Sequence, residues 1–565
     1  MGTLLRVDMA EMKVAREENP YDEPLQGRAL IGRIMKAEVN PECEPLGRNN
    51  QLIITTGPFA GTAVPCAGRL SVGCKSPLTG GIKEANSGGV LATKLGRLGI
   101  SAVVVQGCPS SPGPYLLYIS GGESKLVARP DLKNKRVYEL ASGLAGEFPG
   151  AGLALIGPAG EALMTAAGVA ITDVDGVPGR YAARGGVGAV MGSKGLKAIV
   201  VDDSGGKRAQ GANPQRIKAA IGRLATLIKE TPQTAVVYHD YGTPAMVETM
   251  NAIGGLPTRN FSTGHFEKAR DISGDVVRER IIERGGQTTH RCMPGCMIGC
   301  SNVFSLAGGD KTISPLEYET IGLLGSNCCI GDLDAIGRLN WLCNDIGIDT
   351  IEIGATIAVA MEAGLVEFGD SDGAARLIEG IANQTLLGRV LGHGAVVTGR
   401  VLGVRNVPAV KGQAMAAYEP RGVKGMGVTF ATSPMGADHT AGTTARMNLV
   451  HHKAEGQVEA SRQAQITAAV YDSLGMCLFV GTAVKSEWTV LTELVNGMLG
   501  IEWTVDDLRE AAKSVLKREL EFNRAAGLGK AQDRLPEYFY TVENPHTGSV
   551  FDIPAEDLDR VLGEL

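Results

Sequence analysis

The amino-acid sequence predicts an α+β protein, with a β-rich N-terminal domain followed by two mainly α-helical domains, on three observations. Short β-branched runs separated by glycine turns dominate up to about residue 205, a polar stretch from Asp202 to Pro214 interrupts them, and helical periodicity prevails beyond it. At 565 residues the chain also exceeds what one hydrophobic core usually supports. The expected domains are 1–208, 209–411 and 412–565.

In the first domain, strands are expected at Gln51–Thr56, Ser101–Gln106, Tyr115–Ser120, Leu153–Ile156 and Ala198–Asp202. In the second, Ser314-Pro-Leu-Glu317 reads as a helix start, with Ser314 as N-cap, Pro315 in the first turn and Glu317 as the capping-box acid. Glu319 is not needed by that cap, which leaves it available for chemistry. A helix from about Leu333 reaches Asn344 and stops at Gly347, after which Asp349-Thr-Ile-Glu352 resembles another capping box. In the third domain, glycine-rich turns at 420–422, 425–427 and 435–436 precede a helix near 456–474. Thr504 opens a further helix over Val505–Ala526, closed by Gly527.

Composition narrows the function. Fifty-five Lys and Arg against 61 Asp and Glu give a net charge of -6, so no overall basic field holds nucleic acid. No run approaches the ~18 apolar residues of a membrane span and the first residues lack a secretory apolar core, so a soluble, cytoplasmic protein is expected. Eleven cysteines without a secretory signal read as thiols and metal ligands rather than a disulfide framework. Cys43, Cys66, Cys74, Cys108, Cys328, Cys329 and Cys343 lie among apolar or small neighbours and read as ordinary buried thiols.

The remaining four carry chemistry. Cys292, Cys296 and Cys300 are evenly spaced. A continuous helix would set the first and last about 12 Å apart, too far for one metal centre, so the helix must break. Pro294-Gly295 and Gly299 supply the break. Three local thiolates and the distant Cys477 suit a four-cysteine [4Fe-4S] cubane; structural zinc and a radical S-adenosylmethionine cluster are poorer matches to the spacing. Cys477 also closes an internal echo: Asn344-Asp-Ile-Gly-Ile-Asp349 and Asp472-Ser-Leu-Gly-Met-Cys477 share the form Asx-x-x-Gly-aliphatic-x, with glycine taking the left-handed turn at a helix end. Two further stretches, Arg69 to Asn86-Ser-Gly-Gly89 and Arg180-Tyr-Ala-Ala-Arg-Gly-Gly-Val-Gly188, combine arginines with glycines in the manner of polyanion sites, without the spaced glycine fingerprint of a dinucleotide fold.

At these residues, together with Lys75-Ser-Pro-Leu-Thr-Gly80, Gly188-Ala-Val-Met-Gly-Ser193, Glu317-Tyr-Glu319 and Asp438-His439, the chain resembles the tungsten-containing aldehyde:ferredoxin oxidoreductase family over nearly its whole length. The resemblance implies that the first domain is a base for a tungsten (or molybdenum) bis-pterin cofactor, tungstopterin, with the helical domains closing over it. Arg69, Asn86, Gly88, Arg180, Tyr181, Ala183 and Arg184 fall at cofactor contacts, as do Asn344, Ile348, Asp349, Asp472 and Met476 of the two hexads. Cys292, Cys296, Cys300 and Cys477 fall at the cluster ligands, and the backbone carbonyls of Asn86 and Tyr181 at a magnesium site. Glu319 stands where the family has its active-site acid, His439 its histidine and Tyr318 a pocket tyrosine. Glu319 would be the general base; His439 would polarise the aldehyde oxygen or a metal-bound oxygen.

The implied partners are an aldehyde and a ferredoxin or ferredoxin-like subunit, with neither nucleic acid nor membrane; an oligomer is admitted. The chain departs from the archaeal pattern in three places: the first cysteine gap is one residue longer, a pterin-contacting lysine is replaced near Ala441, and Arg338 stands where an acid binds a subunit-bridging metal. The Cys-Met-Pro-Gly-Cys form resembles bacterial members. The alternatives are a catalytic subunit reducing an aromatic acyl-CoA of the benzoyl-CoA type, and a non-catalytic iron-sulfur electron-transfer protein.

Overall fold

The computed structural model describes residues 2–111, 113–309 and 311–563. The first 201 residues build two six-stranded mixed sheets. One holds β1 (Thr3–Asp8), β2 (Lys13–Glu18), β3 (Leu52–Thr56), β4 (Leu70–Lys75), β5 (Ile82–Ser87) and β6 (Ile100–Gln106), in the order β2-β1-β6-β3-β4-β5. The other holds β7 (Tyr115–Ile119), β8 (Ser124–Ala128), β9 (Gly152–Leu155), β10 (Val169–Ile171), β11 (Arg180–Ala182) and β12 (Leu196–Val201), in the order β11-β10-β9-β12-β7-β8. All five expected strands are present. β3, β4, β9 and β12 are buried along their whole length, as their near-continuous apolar or small residues require. Residues from both sheets, including Leu5, Val72, Leu117 and Ile199, share one apolar core.

Beyond Val201 the chain runs without regular structure until Asn213, whose side chain caps Pro214–Glu230 by accepting the Arg216 N–H at 3.0 Å. Everything after it is mainly helical, around a single large apolar core that reaches into both expected helical domains. A short hairpin, Ala409–Val410 with Gln413–Ala414, straddles residue 411. The expected helices are Leu333–Ile346, Gln457–Leu474 and Val505–Ala525, ending at left-handed Gly347, Gly475 and, one residue past Ala526, Gly527. Thr504 and Asp507 form the complete capping box expected there.

Three local expectations need correction. Ser314 does not cap a helix: its hydroxyl is engaged by Arg180 at 3.0 Å, and the helix begins at Tyr318 with Glu317 itself as the extended N-cap residue. Asp349 does cap Thr350–Glu362, accepting the Ile351 N–H at 3.0 Å, but Glu352 does not reach back; its carboxylate accepts the Ala395 and Ala414 N–H groups instead. Gly425 and Gly427 are no turn but lie inside helix Lys424–Thr432. Their missing side chains admit neighbours: a Cβ on Gly425 would stand 2.5 Å from Thr444 Oγ1, and one on Gly427 2.5 Å from the Phe551 ring.

Candidate active site between the sheets and the helices

A cavity of about 350 Å³ lies where the two sheets meet the helical layer. β5 and β11 are the edge strands of their sheets, each paired on one side only, so their outer backbone groups are free to face it. They carry Asn86 and Tyr181 to the wall, where Arg69, Gly88, Arg180, Ala183 and Arg184 join them. From the helical side come Tyr318, Glu319, Asn344, Ile348, Asp349 and His439, and at one end Cys292, Cys300 and Cys477. Cys296 is buried behind the cysteine loop and Met476 in the core. Asp472 is turned to Arg28, at 3.3 Å.

The cavity wall holds polar groups that the protein does not satisfy. Arg180 Nε, Arg184 Nε and Nη1, Asp349 Oδ2, Glu319 Oε1 and His439 Nδ1 are all buried without a hydrogen-bond partner. Buried polar atoms in native proteins are nearly always bonded, so their convergence on one cavity marks the seat of a polar group, anionic where the arginines face it and proton-donating where the carboxylates do. Three arginines at one wall match cofactor phosphates. Their geometry is fixed from behind: Arg69 donates to the Asn86 side chain, Arg180 to Ser301 at 2.6 Å and Ser314 at 3.0 Å, and Arg184 to the Ala414 carbonyl at 2.5 Å and the Ala437 carbonyl at 3.0 Å. Arg180 also meets His290 Nδ1 at 2.9 Å. The Tyr181 hydroxyl donates to the Asn344 carbonyl, tying β11 to the first hexad. Burial raises the Asp349 carboxyl, which Arg184, 3.5 Å away, partly offsets.

The cysteine loop is not helical; Gly295 (φ 74°) and Gly299 (φ 65°) take left-handed conformations. Burial pushes the Cys477 thiol up to about 12 and holds Cys300 well above its ordinary value, while Cys292 is raised first by its contact with Cys296. Such thiols ionise when metal cations supply the compensating charge. A single zinc ion would draw its ligands to within about 4 Å of each other. Among the described residues the one cluster of three or more ligand groups within 4.8 Å is Asp173, Asp175 and His290, which holds none of the four cysteines. The donor set fits a cubane. His290 is engaged by Asp175 at 2.7 Å and takes no part.

Glu319 sits in the short helix Tyr318–Thr320, which widens at once into a π-helical turn, Ile321–Gly325. Such turns recur at functional sites because they redirect side chains. Its Oε2 accepts the Ala417 N–H at 2.7 Å, leaving Oε1 unpartnered and 3.5 Å from His439 Nε2. Tyr318 donates its hydroxyl to the Ala417 carbonyl at 2.5 Å and so holds the loop segment whose N–H binds Glu319. Behind His439, Asp438 forms a fully buried ion pair with Lys83; burial would raise Asp438, but Lys83 and Arg184 hold it well below the usual carboxylate range.

Sequence reading missed several participants. Glu317, taken for a cap, is a buried carboxyl on the cavity wall, raised by burial and bonded by Thr243. Tyr418 packs against Tyr318 with the rings tilted at 46° and their centroids 5.4 Å apart, and abuts Glu319. Cys66, taken for an ordinary buried thiol, links both cluster segments: its carbonyl accepts the Cys477 N–H at 2.8 Å, its N–H donates to Gly295 at 3.0 Å, and its sulfur accepts the Met297 N–H at 3.4 Å. Cys108 and Cys329 are only half-buried. No local pattern announces these residues, whose partners lie hundreds of positions away in several cases.

The chain matches the family model "Aldehyde ferredoxin oxidoreductase, N-terminal domain" over residues 4–203 and that for "domains 2 & 3" over 220–565. It is 33% identical to the tungsten-containing aldehyde ferredoxin oxidoreductase of Thermococcus kodakarensis, covering 97% of this chain and 93% of that protein. It is 32% identical to that of Pyrococcus furiosus, over 95% and 91%. Among solved structures, the active-site complex BamBC of benzoyl coenzyme A reductase with 1,5-dienoyl-CoA shares the fold, at a TM-score of 0.80 and 19% identity, over 99% of this chain and 93% of that one.

Proposed function

We infer the function from one premise: this chain belongs to the aldehyde ferredoxin oxidoreductase family. It is an enzyme that oxidises aldehydes to carboxylic acids. Aldehyde and water yield acid, two electrons and two protons. When bound, the tungsten (or molybdenum) bis-pterin supplies two-electron redox chemistry and the [4Fe-4S] cluster a one-electron relay toward a ferredoxin or ferredoxin-like subunit. Arg69, Arg180 and Arg184 would hold the cofactor phosphates, and the Asn86 and Tyr181 backbone carbonyls, on the two edge strands, would bind magnesium. Cys292, Cys296, Cys300 and Cys477 would ligate the cluster.

The observation that carries the catalytic assignment is the Glu319–His439 pair, 3.5 Å apart in the cavity. Glu319 Oε1, unpartnered, accepts the proton of the attacking water; Oε2 is pinned by the Ala417 amide, so the acceptor cannot swing away. His439 donates a hydrogen bond that polarises the aldehyde oxygen. Tyr318 positions this wall rather than touching the aldehyde through its hydroxyl. Among the described residues no helix is long and apolar enough to cross a membrane.

Elemental analysis and pterin fluorescence of the purified protein, followed by a viologen-coupled assay with simple aldehydes, test the reading. Tungsten or molybdenum, iron and pterin are expected together, and Glu319→Gln should lower kcat by roughly 10²–10⁴-fold. Reduction of an aryl-CoA thioester by a protein inert toward aldehydes would transfer the chain to the acyl-CoA reductases, and iron without pterin would make it an electron carrier only.

A further inference from the structure

One cation on the cavity wall is left over after the cofactor and the Glu319–His439 pair are served. Arg446 follows His439 by seven residues on the same loop, and its side chain lines the same cavity. Its guanidinium carbon lies 4.4 Å from the Tyr238 ring centroid and 5.1 Å from that of Phe479, and its Nε donates to the Met246 sulfur at 3.1 Å. Among the described residues no carboxylate lies within ion-pairing distance of it, whereas Arg184 has Asp349 and Arg180 has Asp173 at 3.5 Å each. The residue is exposed to solvent overall, and the part of its side chain that lines the cavity packs on Tyr238, Phe479 and Met246.

An arginine stays protonated at neutral pH, so a guanidinium that lines the cavity without a carboxylate partner is available to an anion that enters it. The two aromatic faces fix the plane of the guanidinium and leave the outer N–H groups without partners, a fork matched to a carboxylate. The wall leading from it toward Glu319 is aromatic and polar by turns: Phe479, Thr443 and Tyr418 all line the cavity. The cofactor arginines stand on the sheet side, whereas Arg446 shares its loop with the histidine that faces the aldehyde.

We propose that Arg446 is a specificity residue that selects aldehydes bearing a second, anionic group, and in particular a carboxylate. The inference rests on the aldehyde-oxidising reading. The preferred substrates are then oxo acids whose oxidation yields dicarboxylates, with the chemistry at the aldehyde carbon unchanged.

The test uses the holoenzyme with viologen dye as electron acceptor and two matched substrates, 4-formylbenzoate and its methyl ester. The wild type should show the higher kcat/KM for the acid. In Arg446→Gln the acid-to-ester ratio of kcat/KM should fall about 10- to 100-fold, the range of one lost charge-assisted bond, chiefly through KM for the acid; Arg446→Lys should recover part of it. Binding is read separately by equilibrium dialysis of labelled terephthalate against each holoenzyme, and tungsten, iron and pterin contents are measured on the same samples. A wild type that prefers the ester, or a ratio unmoved in Arg446→Gln, overturns the proposal. So does loss of pterin from the variant in proportion to its activity, because Arg446 would then serve the cofactor. If the wild type oxidises neither aldehyde, the aldehyde-oxidising reading fails, and the dialysis decides alone: terephthalate binding that depends on Arg446 upholds the anion site, and binding that does not removes it.

Discussion

Helix Leu333–Ile346 ends on Gly347 at φ 80°, ψ 46°, and helix Gln457–Leu474 ends on Gly475 at φ 62°, ψ 29°. Each end is received by the base domain in the same way. A Cβ on Gly157 would strike the Ile346 carbonyl oxygen at 2.1 Å; one on Gly57 would strike that of Leu474 at 2.2 Å. The Gly347 carbonyl accepts the Gly168 N–H at 3.1 Å, and the Gly475 carbonyl that of Arg69 at 3.0 Å. The closing residues repeat the pattern, Asp349 donating its N–H to Ala166 at 3.0 Å and Cys477 its N–H to Cys66 at 2.8 Å. The first joint lands on the second sheet and the second joint on the first. One backbone joint is thus built twice, and the side chain at its sixth position distinguishes the two: Asp349 brings a carboxylate to the cavity and caps the next helix, whereas Cys477 brings a thiol to the wall that Cys292 and Cys300 also line.

The largest expected difference between the halves is therefore in electron exit. Cys477→Ala should lose iron and abolish aldehyde-driven bleaching of the cluster, while Asp349→Ala keeps its iron; absorbance and iron content per chain read both. Full iron and normal bleaching in Cys477→Ala would break the contrast.

A smaller difference concerns anchoring. Asp472 is held by Arg28, which is 1% exposed and also binds Glu519 at 2.8 Å, whereas Asp345 is held by the partly exposed Arg136, which also reaches Glu379 at 2.7 Å. Arg28→Ala strands two buried carboxylates and should cost about 3–5 kcal/mol. Arg136→Ala should cost no more than about 1 kcal/mol because solvent screens the pair. Equal shifts in denaturation midpoint would show that the two joints are anchored alike.

The smallest expected effect is a pH dependence in the helix that follows the first joint, which carries the fully buried Glu352. Burial raises this carboxyl from 4.5 to about 6. The folded state therefore binds the proton more tightly than the unfolded chain, so the contribution is complete below about 4.5 and lost as pH rises through 6. The stability of the wild type relative to Glu352→Gln should fall by on the order of 2 kcal/mol between pH 4.5 and 7.5. A flat difference across that range would place the Glu352 pKa near its ordinary value.

Much of this was legible because it is local. Glycine after a helix, Thr504 with Asp507, and the β-branched runs each state their conformation within a few residues, and the five expected strands and three expected helices stand where those signals put them. The cap assigned to Ser314 failed because a distant arginine competes for its hydroxyl, and Gly425 and Gly427 misled because a glycine absent for packing reasons looks like one required for a turn. Thr243, Tyr418, Cys66 and Arg446 had no signal at all, since each acquires its role from a neighbour brought across the fold.

The sequence by itself determined the donor inventory: four cysteines, the arginines at the sheet edges, the acid and histidine, and a glycine at each helix end, because residue type and short-range spacing fix what a group can donate and how the backbone turns. Only the tertiary structure decided which of these groups remain unsatisfied. An arginine paired to a carboxylate and an arginine left facing a cavity are the same residue in the chain, and the difference lies in whether folding delivers a partner to Arg184, as Asp349 does, or withholds one, as at Arg446.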